Sequence, residues 1–152
     1  VSIYSPKYDG ETQTEFEKFM SDNGELENPQ LKKDFDAIIA AIKKIIDDCG
    51  ARENLFRPEG NNIKAIPLCI EQRRGKGVGT LRLYCIRISG KILIIGNGGI
   101  KRVKRYEDDP ILLDIVNKLR SIEHQIFIGT RKIHADYDDY QKVKMIIEAI
   151  SI

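Results

Sequence analysis

The sequence predicts an α+β domain in which helices flank a small antiparallel sheet. In the first and last thirds of the chain, apolar residues recur with the 3.6-residue period of a helix, whereas in the middle third they alternate as in a strand. The turn Gly90-Lys91 lies between two of the alternating runs, and a tight turn of this kind pairs neighbouring strands antiparallel. At 152 residues, a single domain spanning 1–152 is expected.

The first third predicts a short strand and then two helices. Val1–Tyr4 forms the strand, and Thr12–Met20 places phenylalanines on one side of a first helix. The second helix begins at Asn28-Pro29, because asparagine caps a helix and proline is tolerated at the first helical position. It ends at Gly50, a residue favoured at helix C-termini. We expect the two helices to form an N-terminal helical hairpin packed on the sheet.

The middle third predicts three strands of an antiparallel meander. Ile63–Glu71 holds Pro67, which favours an edge strand or a bulge, while Thr80–Ser89 and Lys91–Ile95 form a hairpin. Glycine allows a close backbone approach. For the run Gly96–Gly99, however, the favoured interpretation is a flexible segment through which the chain leaves the strand.

The last third predicts the additional C-terminal helices of the domain. Pro110 opens one of them, with the acidic residues 107–109 at the positive end of its dipole. The other is expected over Asp138–Ala149, where apolar residues again follow the helical period.

Composition narrows the possible classes of protein. No run of 18 apolar residues is present, so we expect no membrane span, and the N-terminus lacks the layout of a signal peptide. The odd cysteine count (Cys49, Cys69 and Cys85) favours reduced thiols in the cytoplasm. His124 and His134 are the only histidines, and nothing near them in sequence completes a zinc set, so we expect no metal and no cofactor.

The net charge of +2 conceals an uneven distribution of charge. The window from Gln72 to Arg105 contains ten cations and no acid, whereas the rest of the chain contains 15 cations and 23 acids. A basic segment in an otherwise acidic protein indicates a polyanionic partner. The alternative is that solvated cations merely cluster in sequence.

Two parts of this window could act on a phosphate. Arg82 lies at the start of a strand otherwise built for a core, where it could hold a phosphate or pair with a carboxylate, and sequence alone favours neither. After the glycines, four cations precede Tyr106, whose ring could stack on a base or whose hydroxyl could bind a reacting oxygen. The sequence is equally compatible with Tyr106 being a core residue that anchors the next helix. The four cations are Lys101, Arg102, Lys104 and Arg105.

This set of side chains suits RNA cleavage without a metal. The 2′-hydroxyl of RNA is a nucleophile beside its own phosphate, and the enzyme must remove its proton and stabilise charge on the phosphoryl oxygens. Arginine and lysine perform the second task. A lysine or tyrosine with a lowered pKa could perform the first.

The order of these motifs resembles that of the RelE/ParE/HigB superfamily of bacterial toxins, and the whole chain resembles a Bacteroidetes subgroup of it. The matching segment, from Gly79 to Pro110, has a strand with Arg82, a tight turn, an apolar strand, a glycine, a basic pair and Tyr106. The chain departs from the family in having no clean match to its lysine pair, no histidine near the basic cluster and a longer C-terminal part.

The resemblance implies a RelE-like fold and roles for individual residues. Arg82 would stabilise the scissile phosphate, Lys101 or Arg102 would support it or neutralise the leaving oxygen, and Tyr106 would orient or activate the 2′-hydroxyl. The remaining cations would bind RNA; they are Lys64, Arg73, Arg74, Lys76, Lys104 and Arg105.

The resemblance also implies a function and partners. The leading hypothesis is the toxin of a toxin–antitoxin system, a ribosome-dependent mRNA endonuclease neutralised by a cognate antitoxin protein. Its partners would be mRNA and the ribosomal RNA. The alternatives are a ParE-like toxin that inhibits gyrase by binding and a non-catalytic nucleic-acid-binding domain of the same fold.

Overall fold

The computed structural model describes residues 1–60, 62–67 and 75–150, and it confirms the α+β class. The described residues form one five-stranded sheet and four α-helices. The strands lie in the order β1-β5-β4-β3-β2 across the sheet. Their bounds are β1 Ser2–Tyr4, β2 Arg57–Pro58, β3 Ile63–Ile66, β4 Thr80–Ser89 and β5 Ile92–Lys101.

The predicted antiparallel meander is confirmed for β3, β4 and β5, but the sheet as a whole is mixed. The prediction of a purely antiparallel sheet is wrong because β1 pairs parallel to β5, with Ser2 opposite Ile92. The backbone N–H of Ser2 donates to the carbonyl of Lys91 at 2.7 Å, which fixes this register. A three-residue strand carries no pattern that identifies its partner, so the sequence could not reveal the pairing.

Two of the four α-helices begin where the sequence predicts, and the other two begin two or three residues later than predicted. The bounds are α1 Glu15–Asn23, α2 Pro29–Lys44, α3 Pro110–Lys132 and α4 Tyr140–Glu148. Asn28 and Asp109 cap α2 and α3 by accepting backbone hydrogen bonds from the first turn, and each is followed by a proline. Thr14 forms a capping box with Glu17 at α1.

The sheet lies between two layers of helices, and alternate residues of β4 face the two hydrophobic cores. Leu81 and Leu83 face the core formed with α1 and α2, while Tyr84 and Ile86 face the core formed with α3 and α4. Because Arg82 follows the same alternation, it lies on the α3 side of the sheet.

The glycine run is part of β5, so the interpretation as a flexible strand exit is wrong. β5 continues to Lys101, and a bulge opposite Tyr84 shifts its register. A side chain on Gly96 would collide with Leu119 of α3, and one on Gly98 would overlap the backbone of β4. These glycines therefore allow the helix and the neighbouring strand to approach β5 closely.

Two further findings concern the described residues. None of their helices is long and apolar enough to cross a membrane. Nor do they contain a group of three or more histidine, cysteine, aspartate or glutamate side chains that could hold a metal ion.

Candidate nucleic-acid interface

A cavity of about 260 Å³ lies near the end of the sheet at which β4 begins and β5 ends. We call it the Tyr106 cavity. It is formed by β2, the last residue of β5 and the segment that leads into α3. Four cations, two carboxylates, a proline and a tyrosine line it, namely Arg57, Pro58, Glu59, Lys101, Lys104, Arg105, Tyr106 and Glu107.

Arg82 lies inside the fold on the same face of the sheet as Lys101. Only 2% of the residue is exposed, and its guanidinium donates to the carbonyl of Pro67. Its Nε atom has no hydrogen-bond partner among the described residues. Burial lowers the pKa of Arg82 from its ordinary value and the charge of Arg57 lowers it further, while Glu59 opposes both. The sheet therefore holds a buried positive charge close to Arg57 and Glu59.

Lys101 is partly buried and lies close to several charged side chains. In the β4–β5 ladder it lies opposite Thr80, one pair beyond Ile100–Leu81 and two beyond Gly99–Arg82. Burial is the main cause that lowers the pKa of its ammonium group, and repulsion from Arg57 and Arg82 adds to it, while Glu59 and Glu107 act in the opposite sense. Lys101 therefore releases its proton more readily than an ordinary surface lysine.

Tyr106 is both a core residue and a wall of the cavity. It lies in a 3₁₀ turn, Tyr106–Asp108, with 3% of its surface exposed, and its ring meets that of Tyr84 edge-on at 6.0 Å. The Nη2 atom of Arg120 on α3 donates to its hydroxyl at 2.6 Å. Burial raises the pKa of Tyr106, so the geometry opposes the hypothesis of a tyrosine base with a lowered pKa.

Lys104 and Arg105 form the exposed rim of the Tyr106 cavity. The Nε atom of Arg105 lies 3.3 Å from a carboxylate oxygen of Glu107. Backbone hydrogen bonding, followed by the charge of Arg105, lowers the pKa of Glu107, so this carboxylate stays ionised. Lys104 shares no such contact with a carboxylate among the described ion pairs, which leaves its charge directed towards solvent.

Other predicted site residues lie elsewhere. Arg102 donates from Nε to the carbonyl of Gly77 at 2.9 Å and does not line the cavity. Lys64 is buried, with Nζ 3.8 Å from Glu53, and its position in β3 turns it to the opposite face from Ala65 and Arg82. Lys76 is exposed in the loop before β4, whereas Arg73 and Arg74 lie outside the described residues.

The structure adds three charged residues that the sequence did not single out: Arg57, Glu59 and Arg120. The side chain of Glu59 is 13% exposed and lies 3.6 Å from the Nε atom of Arg57. Its negative charge acts to raise the pKa of Arg82, of Lys101 and of Tyr106. Nothing in the segment around Glu59 distinguishes it from other acids, because its proximity to Lys101 arises only when β2 folds against the sheet.

The cavity thus brings four cations, two carboxylates and a phenol together, and the buried guanidinium of Arg82 lies close to Arg57 and Glu59 without lining the cavity. Comparison with known protein families, with characterised proteins and with solved structures finds no match to this chain.

Proposed function

We propose that this protein is a metal-independent endoribonuclease that binds a phosphate of RNA in the Tyr106 cavity. One observation carries the proposal: four cations surround a cavity of about 260 Å³ that also contains a largely buried carboxylate, Glu59. Cations beside a bound phosphate stabilise the charge that develops on its phosphoryl oxygens. A carboxylate among them would weaken simple anion binding, but it provides a base for cleavage.

The cleavage step assigns each group a distinct task. Glu59 takes the proton of the 2′-hydroxyl, whose oxygen attacks the adjacent phosphorus. The bond from phosphorus to the 5′-oxygen breaks, and Lys101, with its lowered pKa, gives that oxygen a proton. The products are a 2′,3′-cyclic phosphate and a 5′-hydroxyl. Arg82 contributes positive charge from within the sheet, and Tyr106 orients the ribose as a neutral phenol.

The proposal includes a RelE-like fold and the biology of a toxin. The support is the sequence of elements from the β4 arginine through the glycine-containing β5 to Tyr106 before α3. The exposed Lys104 and Arg105 would meet mRNA on the ribosome. A cognate antitoxin would cover the same basic rim and so block access of RNA to the cavity.

A non-catalytic nucleic-acid-binding domain is the second candidate. The burial of Arg82 and Tyr106 favours it, because both side chains already have partners within the fold and so have structural roles. Under this alternative Glu59 only balances charge. Its removal would then strengthen RNA binding, whereas removal of a base would greatly reduce cleavage.

The test is induced expression in a bacterial host, with growth and the 5′ ends of mRNA measured together. We compare wild type with Glu59→Gln, Lys101→Gln and the matched control Lys91→Gln, an exposed lysine at the β4–β5 turn. Loss of either functional group should reduce cleavage on the order of 10²-fold. Arg82→Ala should lose at least as much, but circular dichroism must first show that this buried site still folds.

Growth arrest with new cuts inside translated codons, lost in Glu59→Gln and kept in Lys91→Gln, is the expected result. Arrest without cuts would refute the nuclease and direct attention to gyrase. No arrest, together with tighter RNA binding by purified Glu59→Gln, would favour the non-catalytic domain.

A further inference from the structure

A second and larger cavity lies along the C-terminal half of α3 and the turn that follows it. Its volume is about 1110 Å³, and both histidines of the chain, His124 and His134, line it. The sequence separates these histidines from the basic window, and the Tyr106 cavity uses neither of them. We call this space the histidine cavity.

Arg120 connects the two cavities. It lines the histidine cavity, and its Nη2 atom donates to the hydroxyl of Tyr106, which lines the other one. The same Nη2 atom would lie 3.3 Å from a side-chain carbon at Gly60, in the turn after Glu59. Arg120 therefore lines the histidine cavity while it contacts a residue of the Tyr106 cavity.

Phe127 gives the histidine cavity an exposed aromatic surface. The residue is 45% exposed, although a phenylalanine is ordinarily buried. The guanidinium of Arg131 lies 5.4 Å from the centre of its ring, in the arrangement of a cation–π pair. An aromatic ring beside an arginine is a common binding surface for a nucleic-acid base and its phosphate.

The lining of the histidine cavity supplies hydrogen-bond acceptors. Glu123 accepts a hydrogen bond from the backbone of Asn62, and Tyr137 lies close enough to be influenced by the charge of Glu123. Asp136 adds a second, exposed carboxylate. Carboxylates of this kind accept hydrogen bonds from the exocyclic amino groups of bases.

His134 occupies an unfavourable backbone conformation at this cavity. Its φ is +53°, in the left-handed region that favours glycine. It ends α3 in a Schellman motif, in which Ala135 N–H donates to the carbonyl of Thr130 and His134 N–H donates to that of Arg131. Glycine is the ordinary residue at this position, so the imidazole is present at a cost in stability. Strain of this kind concentrates at functional sites.

We propose that the histidine cavity is a nucleotide subsite for single-stranded RNA, in which a base stacks on Phe127 and its phosphate meets Arg120, Arg131 and the histidines. This inference rests on the proposed function, since it extends the path of the RNA bound in the Tyr106 cavity. The ring, the two guanidinium groups and the carboxylates together match the parts of a nucleotide.

The test is fluorescence anisotropy with a labelled single-stranded oligoribonucleotide of about ten nucleotides, repeated in competition with a mononucleotide. Phe127→Leu keeps an apolar side chain but removes the ring, and it should weaken oligonucleotide binding about tenfold. Arg131→Gln should weaken binding several-fold, whereas Lys132→Gln, the adjacent exposed cation outside the cavity, should not.

His134→Gly separates a functional role from a structural one. Relief of the left-handed strain should raise the Tm by about 2 °C, while RNA binding should weaken several-fold. A variant that gains stability and keeps its full affinity would count against a role for the imidazole in binding.

The failure of the subsite and the failure of the proposed function give different results. If Lys104→Ala weakens RNA binding but Phe127→Leu, Arg131→Gln and His134→Gly do not, the subsite is refuted while the Tyr106 cavity keeps its role. If wild type binds no oligonucleotide, both proposals fail. If a mononucleotide binds at Phe127 but the oligonucleotide does not, a continuous RNA path is refuted.

Discussion

Gly98→Ala should be among the more destabilising single changes in the sheet, and it should disturb the candidate site as well. Gly98 lies opposite Leu83 in the β4–β5 pair, next to Gly99, which lies opposite Arg82. A β-carbon at Gly98 would lie 1.8 Å from the carbonyl oxygen of Arg82 and 2.9 Å from the α-carbon of Leu83. Both obstacles are backbone atoms, so a change of side-chain rotamer cannot relieve the overlap.

The geometry sets the size of the effect. Real β-carbons stay at least 3.0 Å from other heavy atoms, so the two strands must separate locally by about 1.2 Å. Such a shift breaks or lengthens roughly two ladder hydrogen bonds, at about 1 kcal/mol each. Overpacking in a core typically adds about 1–3 kcal/mol. We therefore expect the free energy of unfolding to fall by about 3 kcal/mol or more.

The measurement is chemical denaturation of wild type, Gly98→Ala and the control Gly10→Ala. Gly10 has a φ of +82°, but a β-carbon added there would meet nothing within 4 Å, so its substitution should cost only the left-handed strain, about 1 kcal/mol. If Gly98→Ala loses no more stability than Gly10→Ala, the account of a close approach between the strands is refuted. A loss of RNA binding by folded Gly98→Ala would further link the bulge to the site.

Two other predictions concern charge and pH. Lys104→Ala should weaken RNA binding modestly and reduce the slope of log affinity against log salt by about 0.7, because one phosphate contact is lost; a slope unchanged from that of wild type would place Lys104 away from the RNA. Burial, followed by the charges of Glu15 and Asp114, raises the pKa of Tyr8 from 10.0 to about 12. Between these pH values the unfolded chain loses the phenol proton while the folded protein keeps it, so stability should fall as pH rises above about 10. Tyr8→Phe should lessen that fall in denaturation experiments from about pH 9 to about pH 12, and an identical alkaline loss in both proteins would contradict the assignment.

Helix starts and strand alternation were predictable from sequence because local chemistry decides them. Asn28-Pro29 and Asp109-Pro110 each combine a capping side chain with a residue suited to the first helical turn, and helices begin there. The alternation along Thr80–Ser89 predicted a strand, and β4 has these bounds. The acid-free window likewise placed Lys101, Lys104 and Arg105 in a basic segment, and these cations do line one cavity.

The glycine run shows why a correct local observation led to a wrong interpretation. Glycine has the same lack of a side chain whether it serves as a flexible exit or as a place for close packing. Only the positions of Leu119 and of the β4 backbone show that Gly96 and Gly98 serve packing. Periodicity does not contain that information, because the obstacles come from distant segments.

The sequence by itself determined the starts of α2 and α3 with their caps, the β4–β5 hairpin and the concentration of positive charge, since each depends on residues a few positions apart. Only the tertiary structure decided that β1 runs parallel to β5, that Glu59 lies among the cations and that Arg120 joins Tyr106 to the histidine cavity. Those relations depend on contacts between segments that are distant in sequence. Local patterns do not specify which distant segments pair, because the pairing is decided only when the whole core packs.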